Sequence, residues 1–419
     1  MGFTLAEKVL ARVSGQSSVN AGDEVMAKPD FVHVYDFPGY TDVIARQMKE
    51  DFGIDKIADP KRFAVFIDHM VPPKAPKEEE LHIGTRNWCR EQGMPLFERL
   101  GIGHQVASEV GYAVPGAFLV HFDGHISQLG AFGMLAIGLR RNVLEAFVRE
   151  RVSMKVPQTT KIILTGDCPH GVMARDVFHF ILGELGPSFC QFQVMELSGP
   201  ALSQISMDGR QTICGLAMFT GATTAVINPD ETIFEVLKGR TRRAEIDAVY
   251  SDEDAQYDHI YELDLTKLEP LVAAPPNPAN IRPLSDFEGL EVNVGYLGSC
   301  ASGRLEDLKV AAQVLQGKHV KEGFHLNIVP TSREILARAA AEGVIATLAE
   351  AGAFLSSPSC DYCFGHIGTM SAGQRAVSTG TLNVPGRMGS PDSEIYLCGA
   401  ASVAAAALEG RITDPRQYL

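Results

Sequence analysis

The chain has 419 residues, 45% of them apolar and 21% charged, with a formal net charge of −14. That is enough apolar material for two or three cores, and no lysine/arginine tract interleaved with aromatics is present, which excludes the electrostatic footprint of a nucleic-acid binder. Eight dispersed cysteines without a signal peptide exclude a secreted disulfide framework and point to a reducing cytoplasm.

From Met1 to Lys155, apolar runs such as Arg62 to Ile67 and Ala117 to Val120 alternate with helical patterns from Thr41 to Phe52 and Glu78 to Gln92. This predicts a layered α/β unit over 1–155. A strand from Thr160 to Thr165 and an amphipathic helix from Ala174 to Leu185 open a second unit. Ala273 to Pro283 concentrates proline and asparagine and reads as the linker closing that unit, 156–283. The third unit, 284–419, starts with a strand from Leu290 to Leu297 that runs into Gly298-Ser-Cys300. A helix from Leu305 to Leu315, a strand from His325 to Val329 and helices from Arg333 to Glu342 and Val344 to Ala351 follow. The first and third units are candidates for a shared fold. The alanine-rich run from Ile395 to Leu408 is shorter than the roughly 20 residues of a membrane span, so no membrane segment is expected and the run reads as a buried helix.

Two places carry chemistry. Cys300 sits at the carboxyl end of a strand, where sites in α/β sheets collect, and Cys360-Asp-Tyr-Cys363 lies in Gly/Ser/Pro-rich loop sequence. Three thiolates can hold a metal centre with one position open to substrate. The spacing alone leaves open a structural zinc site completed by His366, or simply buried thiols. Cys89, Cys168, Cys190, Cys214 and Cys398 lie in apolar or helical contexts and read as core. The first unit carries three histidine motifs, Asp68-His69, Gly103-His104-Gln105 and Asp123-Gly-His125, and histidines beside carboxylates, as in the first and third, suit proton transfer. Taken singly, each fits a structural histidine; together with an open metal site they form a constellation.

The order of these motifs resembles the aconitase superfamily nearly end to end, specifically the large subunit of 3-isopropylmalate dehydratase and its homoaconitase and dimethylmalate-dehydratase relatives. The matching segments include Asp68-His-Met-Val-Pro72, Gly103-His-Gln105, Thr212-Ile-Cys-Gly215, Gly298-Ser-Cys300, Gly303-Arg-Leu-Glu-Asp-Leu308, Cys360-Asp-Tyr-Cys363 and Gly386-Arg-Met-Gly-Ser-Pro391. The resemblance implies a three-domain α/β/α layered fold with the site between domains and the swivelling fourth domain absent from this chain. It implies a hydro-lyase acting on a small hydroxy carboxylic acid. It also implies a [4Fe-4S] cluster on Cys300, Cys360 and Cys363, proton handling by Asp68, His69, His104, Asp123 and His125, and a substrate carboxylate on Arg387. Single-chain relatives carry a mobile fourth domain that supplies a serine base; no stretch here resembles it, so a separate small subunit is expected.

Several positions depart from the family pattern. Gly124 replaces a serine, Gly215 an asparagine, Phe219 a glutamate and Leu382 an arginine. These losses spare the cysteines, and the expectation is a pocket re-cut for a less anionic substrate than isopropylmalate. A non-catalytic or regulatory iron-sulfur paralogue and a zinc-stabilised scaffold are the alternatives. No dinucleotide fingerprint or phosphate loop occurs, so neither NAD nor ATP is indicated.

Overall fold

Strand and helix patterns alternate along the chain, and in the computed structural model, which describes residues 2–38 and 40–419, they resolve into two parallel sheets, a mixed sheet and a small antiparallel ribbon. The first sheet runs, edge to edge, Leu96–Glu98, Phe63–Ile67, Phe31–Tyr35, Phe118–His121 and Leu135–Gly138, all parallel. Its three central strands are buried at every position, as strands covered on both faces must be. The helices Thr41–Glu50 and Pro76–Gln92 stand where amphipathic spacing predicts them. The second sheet has the order Thr224–Ile227, Val194–Ser198, Thr159–Thr165 and His259–Asp264, again parallel, with the helix Ala174–Leu185 beside it.

The third sheet orders Phe354–Leu355, His325–Ile328, Val294–Leu297, Arg375–Ser378 and Glu394–Leu397 in parallel, then adds Leu271–Ala273 and Ile281–Pro283 antiparallel. Its five parallel strands repeat the permutation of the first sheet: third, second, first, fourth, fifth in chain order. Each sheet therefore reverses direction beside its first strand, and a crevice opens there at the carboxyl ends.

Two expectations change. Residues 273–283 are not a free connection: their ends pair as short strands, with Pro283 at the sheet edge, where a missing N–H is harmless. The run from Ile395 to Leu408 is not one helix. Ile395 and Tyr396 belong to a buried strand, Gly399 in an extended conformation ends it, and the helix Ala400–Glu409 starts there, buried at nearly every position because alanine lets it pack closely. The first two sheets share one apolar core that includes Phe66, Leu119 and Ala136 together with Ile162, Leu197 and Ala225. The third unit builds its main core from Leu308, Leu315, Ile328 and Val403.

Candidate active site

Three strand ends of the first sheet deliver an aspartate each: Asp36 after Tyr35, Asp68 after Ile67, and Asp123 after His121-Phe122. Asp68 donates its backbone N–H to Asp36 Oδ1 at 3.0 Å, approaches His69 Nδ1 with Oδ1 at 2.7 Å, and accepts the Gly103 N–H on Oδ2 at 2.7 Å. Gly103 allows that approach, since a Cβ there would lie 2.9 Å from Phe66. Burial opposes ionisation of Asp68, but the His69 charge and these hydrogen bonds outweigh it and hold the carboxyl below its usual range. For His69 burial works against the charge, yet Asp68, Asp36 and Asp361 together raise it to about 9. Its ring is enclosed by Tyr35, Phe37 and Phe364 at centroid distances of 5.0, 5.1 and 5.7 Å.

His104 is the opposite case. Burial lowers it to about 4 against the pull of Asp123 and Asp68, so it is neutral at physiological pH. Its Nε2 lies 3.9 Å from Asp123 Oδ1 and has no hydrogen-bond partner. Asp123 Oδ1 accepts the His125 backbone N–H at 2.7 Å and meets His125 Nδ1 at 2.8 Å. Burial disfavours its charge, but His125 and His104 hold it well below the usual carboxylate range.

The third sheet supplies the thiols. Cys300 follows the strand Val294–Leu297, and Cys360 and Cys363 frame a short helical turn. Cys363 acts on the ionisation of both Cys300 and Cys360, Cys300 also responds to Asp123, and Cys360 to Asp68. A hydrogen bond from Cys360 and the Arg387 guanidinium, whose Nη2 sits 3.2 Å from the sulfur, hold Cys363 well below an ordinary thiol. Burial pushes Cys300 up. All nine residues singled out from sequence thus meet in one region. His366 does not join them: it pairs with Glu78 at 3.3 Å. The other cysteines are free and lie elsewhere, Cys89, Cys190, Cys214 and Cys398 in the cores.

The donor set fits a multi-metal group better than a single ion. Zinc bonds of about 2.3 Å would bring tetrahedral sulfurs within about 3.8 Å of one another. Among the described residues, however, the group of three His, Cys, Asp or Glu whose donor atoms all lie within 4.8 Å is Asp36, Asp68 and His69, not the thiols. Those three are already engaged with each other and with Gly103 and His82. Beside the thiols, the buried Tyr296 hydroxyl and Arg387 Nε lack partners, and Tyr296 feels all three sulfurs. Such donors suit an anionic iron-sulfur group, which would satisfy them.

Sequence reasoning missed four residues. Tyr35 packs against His69 and also against His121 at 4.7 Å, and burial with the nearby Asp123 keeps its phenol protonated. Asp36 repeats the strand-then-aspartate signal of Asp68 and Asp123, a pattern that could have found it. Arg304, fully buried, donates to Gln105 Oε1 at 2.9 Å, Thr212 Oγ1 at 3.1 Å, Gln128 Oε1 at 3.4 Å and the Cys300 carbonyl at 2.7 Å, joining all three units. Asp361 reaches across to the segment after His69. Of the departures, Phe219 does face the site, its ring 5.8 Å from His125. Gly124 and Gly215 answer to packing: a Cβ at 124 would lie 3.3 Å from Met218 Sδ, and one at 215 would lie 3.1 Å from Gln128 Cβ.

Residues 55–410 match the model of the Aconitase family (aconitate hydratase). The chain belongs to the aconitase family. It is 39% identical to 3-isopropylmalate dehydratase large subunit 1 of Methanopyrus kandleri, with all of both chains covered. It is 37% identical to the protein of the same name from Pyrococcus furiosus, covering 100% of this chain and 99% of that one. The crystal structure of Thermococcus kodakaraensis aconitase X in its holo form is similar with a TM-score of 0.50 at 11% identity, covering 90% of this chain and 89% of that one, a likeness of fold alone. As an aconitase-family member of the large-subunit type, the chain is a hydro-lyase, and the family's iron-sulfur cofactor is the group its three thiols fit. No helix among the described residues is long and apolar enough to cross a membrane.

Proposed function

We propose that this chain is the catalytic large subunit of a hydro-lyase that removes water from, or adds it to, a small hydroxy carboxylic acid, with a [4Fe-4S] cluster on Cys300, Cys360 and Cys363. The observation that carries this reading is that two oppositely tuned histidines, His69 raised to about 9 and His104 lowered to about 4, stand beside Asp68 and Asp123, the carboxylates to which Cys360 and Cys300 respond. Groups whose surroundings push their ionisation apart take the acid and base roles. The cluster, when bound, supplies Lewis acidity toward a substrate oxygen. His69, held by Asp68 and charged at neutral pH, donates a proton to the departing hydroxyl, while the carbon-bound proton goes to a base on the separate small subunit. Neutral His104 and the Asp123/His125 pair hold that oxygen and accept from it. Arg387, whose Nη2 rests on Cys363 Sγ, offers the rest of its fork to a substrate carboxylate.

The substrate we propose is less anionic than isopropylmalate. Phe219 turned toward His125 and Leu382 in place of an arginine support this, because an extra carboxylate beside them would be left unpaired at about 1–3 kcal/mol or more. The relatives' designation as large subunits supports a separate small subunit. Three sheets support a division into three units, with the third starting near Leu271 rather than after Pro283. The five cysteines outside the site are free thiols, which suits the cytoplasm.

The test is iron and acid-labile sulfide per chain on anaerobically co-purified protein, an electron paramagnetic resonance spectrum before and after mild oxidation, and turnover of hydroxy mono- and dicarboxylates. About four irons, a three-iron signal on oxidation and turnover of a monocarboxylate or apolar-substituted acid are expected. Zinc, or no metal after anaerobic reconstitution, overturns the cofactor. Efficient turnover of isopropylmalate overturns the altered specificity.

A further inference from the structure

The backbone just after His69 is held in a conformation that needs a reason. Met70 has a φ of +55°, the left-handed region, which side-chain-bearing residues adopt only where surrounding contacts enforce it. In this turn the successive N–H groups of Met70 and Val71 point into one concavity, the nest geometry that receives anions. The occupant is a carboxylate from the other side of the site: Asp361 Oδ1 accepts from Met70 at 2.6 Å and Oδ2 from Val71 at 2.9 Å. Asp361 is 1% exposed and sits between Cys360 and Cys363. Two more bonds close the same seam. The Cys360 N–H donates to the Asp68 carbonyl at 3.0 Å, and Lys74 Nζ donates to the His366 carbonyl at 2.8 Å.

Resting on the site proposed above, we infer that Asp361 is a positioning residue that latches the His69 segment to the cysteine loop, so that gain or loss of the group held by Cys360 and Cys363 is transmitted to His69. Both carboxylate oxygens are taken by backbone donors, so Asp361 has no face left for substrate; its influence runs through the segment it holds. Asp361 directly follows Cys360 and stands two residues before Cys363, and the neighbour of Met70 is His69. A displacement of the cysteine loop therefore withdraws the anion from the nest, and the left-handed turn that fixes the imidazole against Asp68 loses its counterpart. The proton-handling half of the site is thereby ordered only when the metal-binding half is.

Hydrogen exchange by mass spectrometry on the full chain, with its cluster loaded anaerobically and after stripping, tests this without reference to activity. In the wild type, stripping is expected to raise exchange of the peptide covering 67–75 about tenfold or more, together with 359–366. Asp361→Ala is expected to show that faster exchange at 67–75 already in the loaded state, with iron per chain unchanged, and Asp361→Asn, which keeps one acceptor, an intermediate rate. On a substrate found by the screen above, Asp361→Ala lowers kcat about tenfold and leaves KM within about twofold, because the latch orients a reacting group rather than binding substrate. Unchanged protection of 67–75 in loaded Asp361→Ala, or in stripped wild type, overturns the latch. If Asp361→Ala does not accumulate folded, Asp361→Asn gives the same comparison. Should no hydroxy acid turn over, the catalytic reading fails while the exchange data still decide the latch.

Discussion

Replacing Arg304 tests whether the three units are held in register by one side chain. Its guanidinium is fully buried and spends its donors on Gln105, Thr212, Gln128 and the Cys300 carbonyl. In Arg304→Ala, Thr212 still has its hydroxyl bond to the Ala301 carbonyl, and one glutamine can swing toward its neighbour, since Gln128 and Gln211 already lie 3.4 Å apart. The Cys300 carbonyl and Gln105 Oε1 are stranded, each at about 1–3 kcal/mol. Asp307, near Arg304 and already pushed up to about 7 by burial and Glu306, loses its nearest cation. Removing a buried charge relieves some desolvation, and the net expected loss is about 3–5 kcal/mol, the range for breaking a buried charged network on one side. Arg304→Lys keeps the charge but cannot span four acceptors, and should lose about half as much. Urea unfolding of the cluster-free chain measures the stability, and the rate of iron loss to a chelator measures the hold on Cys300. A loss under about 1 kcal/mol with unchanged iron release would refute the idea that Arg304 carries the junction.

The pH–rate profile should be flat between limbs near 4 and 9, because His104 must be neutral and His69 charged; a single limb near 6.5 contradicts the role split. Stability follows the same shifts. The raised His69 contributes fully below its unfolded value of about 6.5 and loses that contribution as pH rises through about 9, whereas the lowered His104 costs stability as pH falls from about 6.5 through about 4. Urea midpoints at several pH values check this. Cys360→Ser should lose iron, sulfide and activity together, while Cys89→Ala, a buried thiol away from the site, should keep full iron content; iron and sulfide analysis decides. Gly124→Ser brings its Cβ against Met218 and should cost about 1 kcal/mol, recovered when Met218→Ala is added; a double mutant no more stable than the single one would show that Met218 is not the obstacle.

Local signals made much of the fold legible. The helix Ala174–Leu185 appears at its expected bounds because its apolar spacing runs directly into Gly186, and Leu305–Leu315 does so after Gly303-Arg304. The nine candidate residues could be picked out because each stands next to a strand end or in a short motif. Interactions between distant segments were not. Arg304 meets partners 199 and 92 residues away, and Asp361 meets Met70 across 291, so neither spacing nor composition carries a trace of them. The Pro-rich stretch misled for a related reason: proline forbids a central strand but not the edge position that Pro283 takes. In the run from Ile395, alanine content hid the strand, and the break at Gly399 was the signal that should have divided it.

The repeated strand order of the first and third sheets explains why the site depends on so few bonds. Each sheet opens a crevice beside its first strand, one carrying the carboxylates and histidines, the other the thiols. Apolar packing unites the first sheet with the second, while the main core of the third unit takes Met173 from the second unit and no residue from the first, so that core does not set the carboxylates and histidines against the thiols. That register comes from hydrogen bonds across the seam: Cys360 to Asp68, Asp361 to Met70 and Val71, Lys74 to His366, and Arg304 to Gln105 and Gln128. Such bonds contribute only about 0.5–3 kcal/mol each, yet a misplacement of about 1 Å between reacting groups can cost about a hundredfold in rate. Substitutions along this seam should therefore depress turnover well beyond what their effect on unfolding would suggest, whereas substitutions of equal cost in the shared core of the first two sheets should do the reverse.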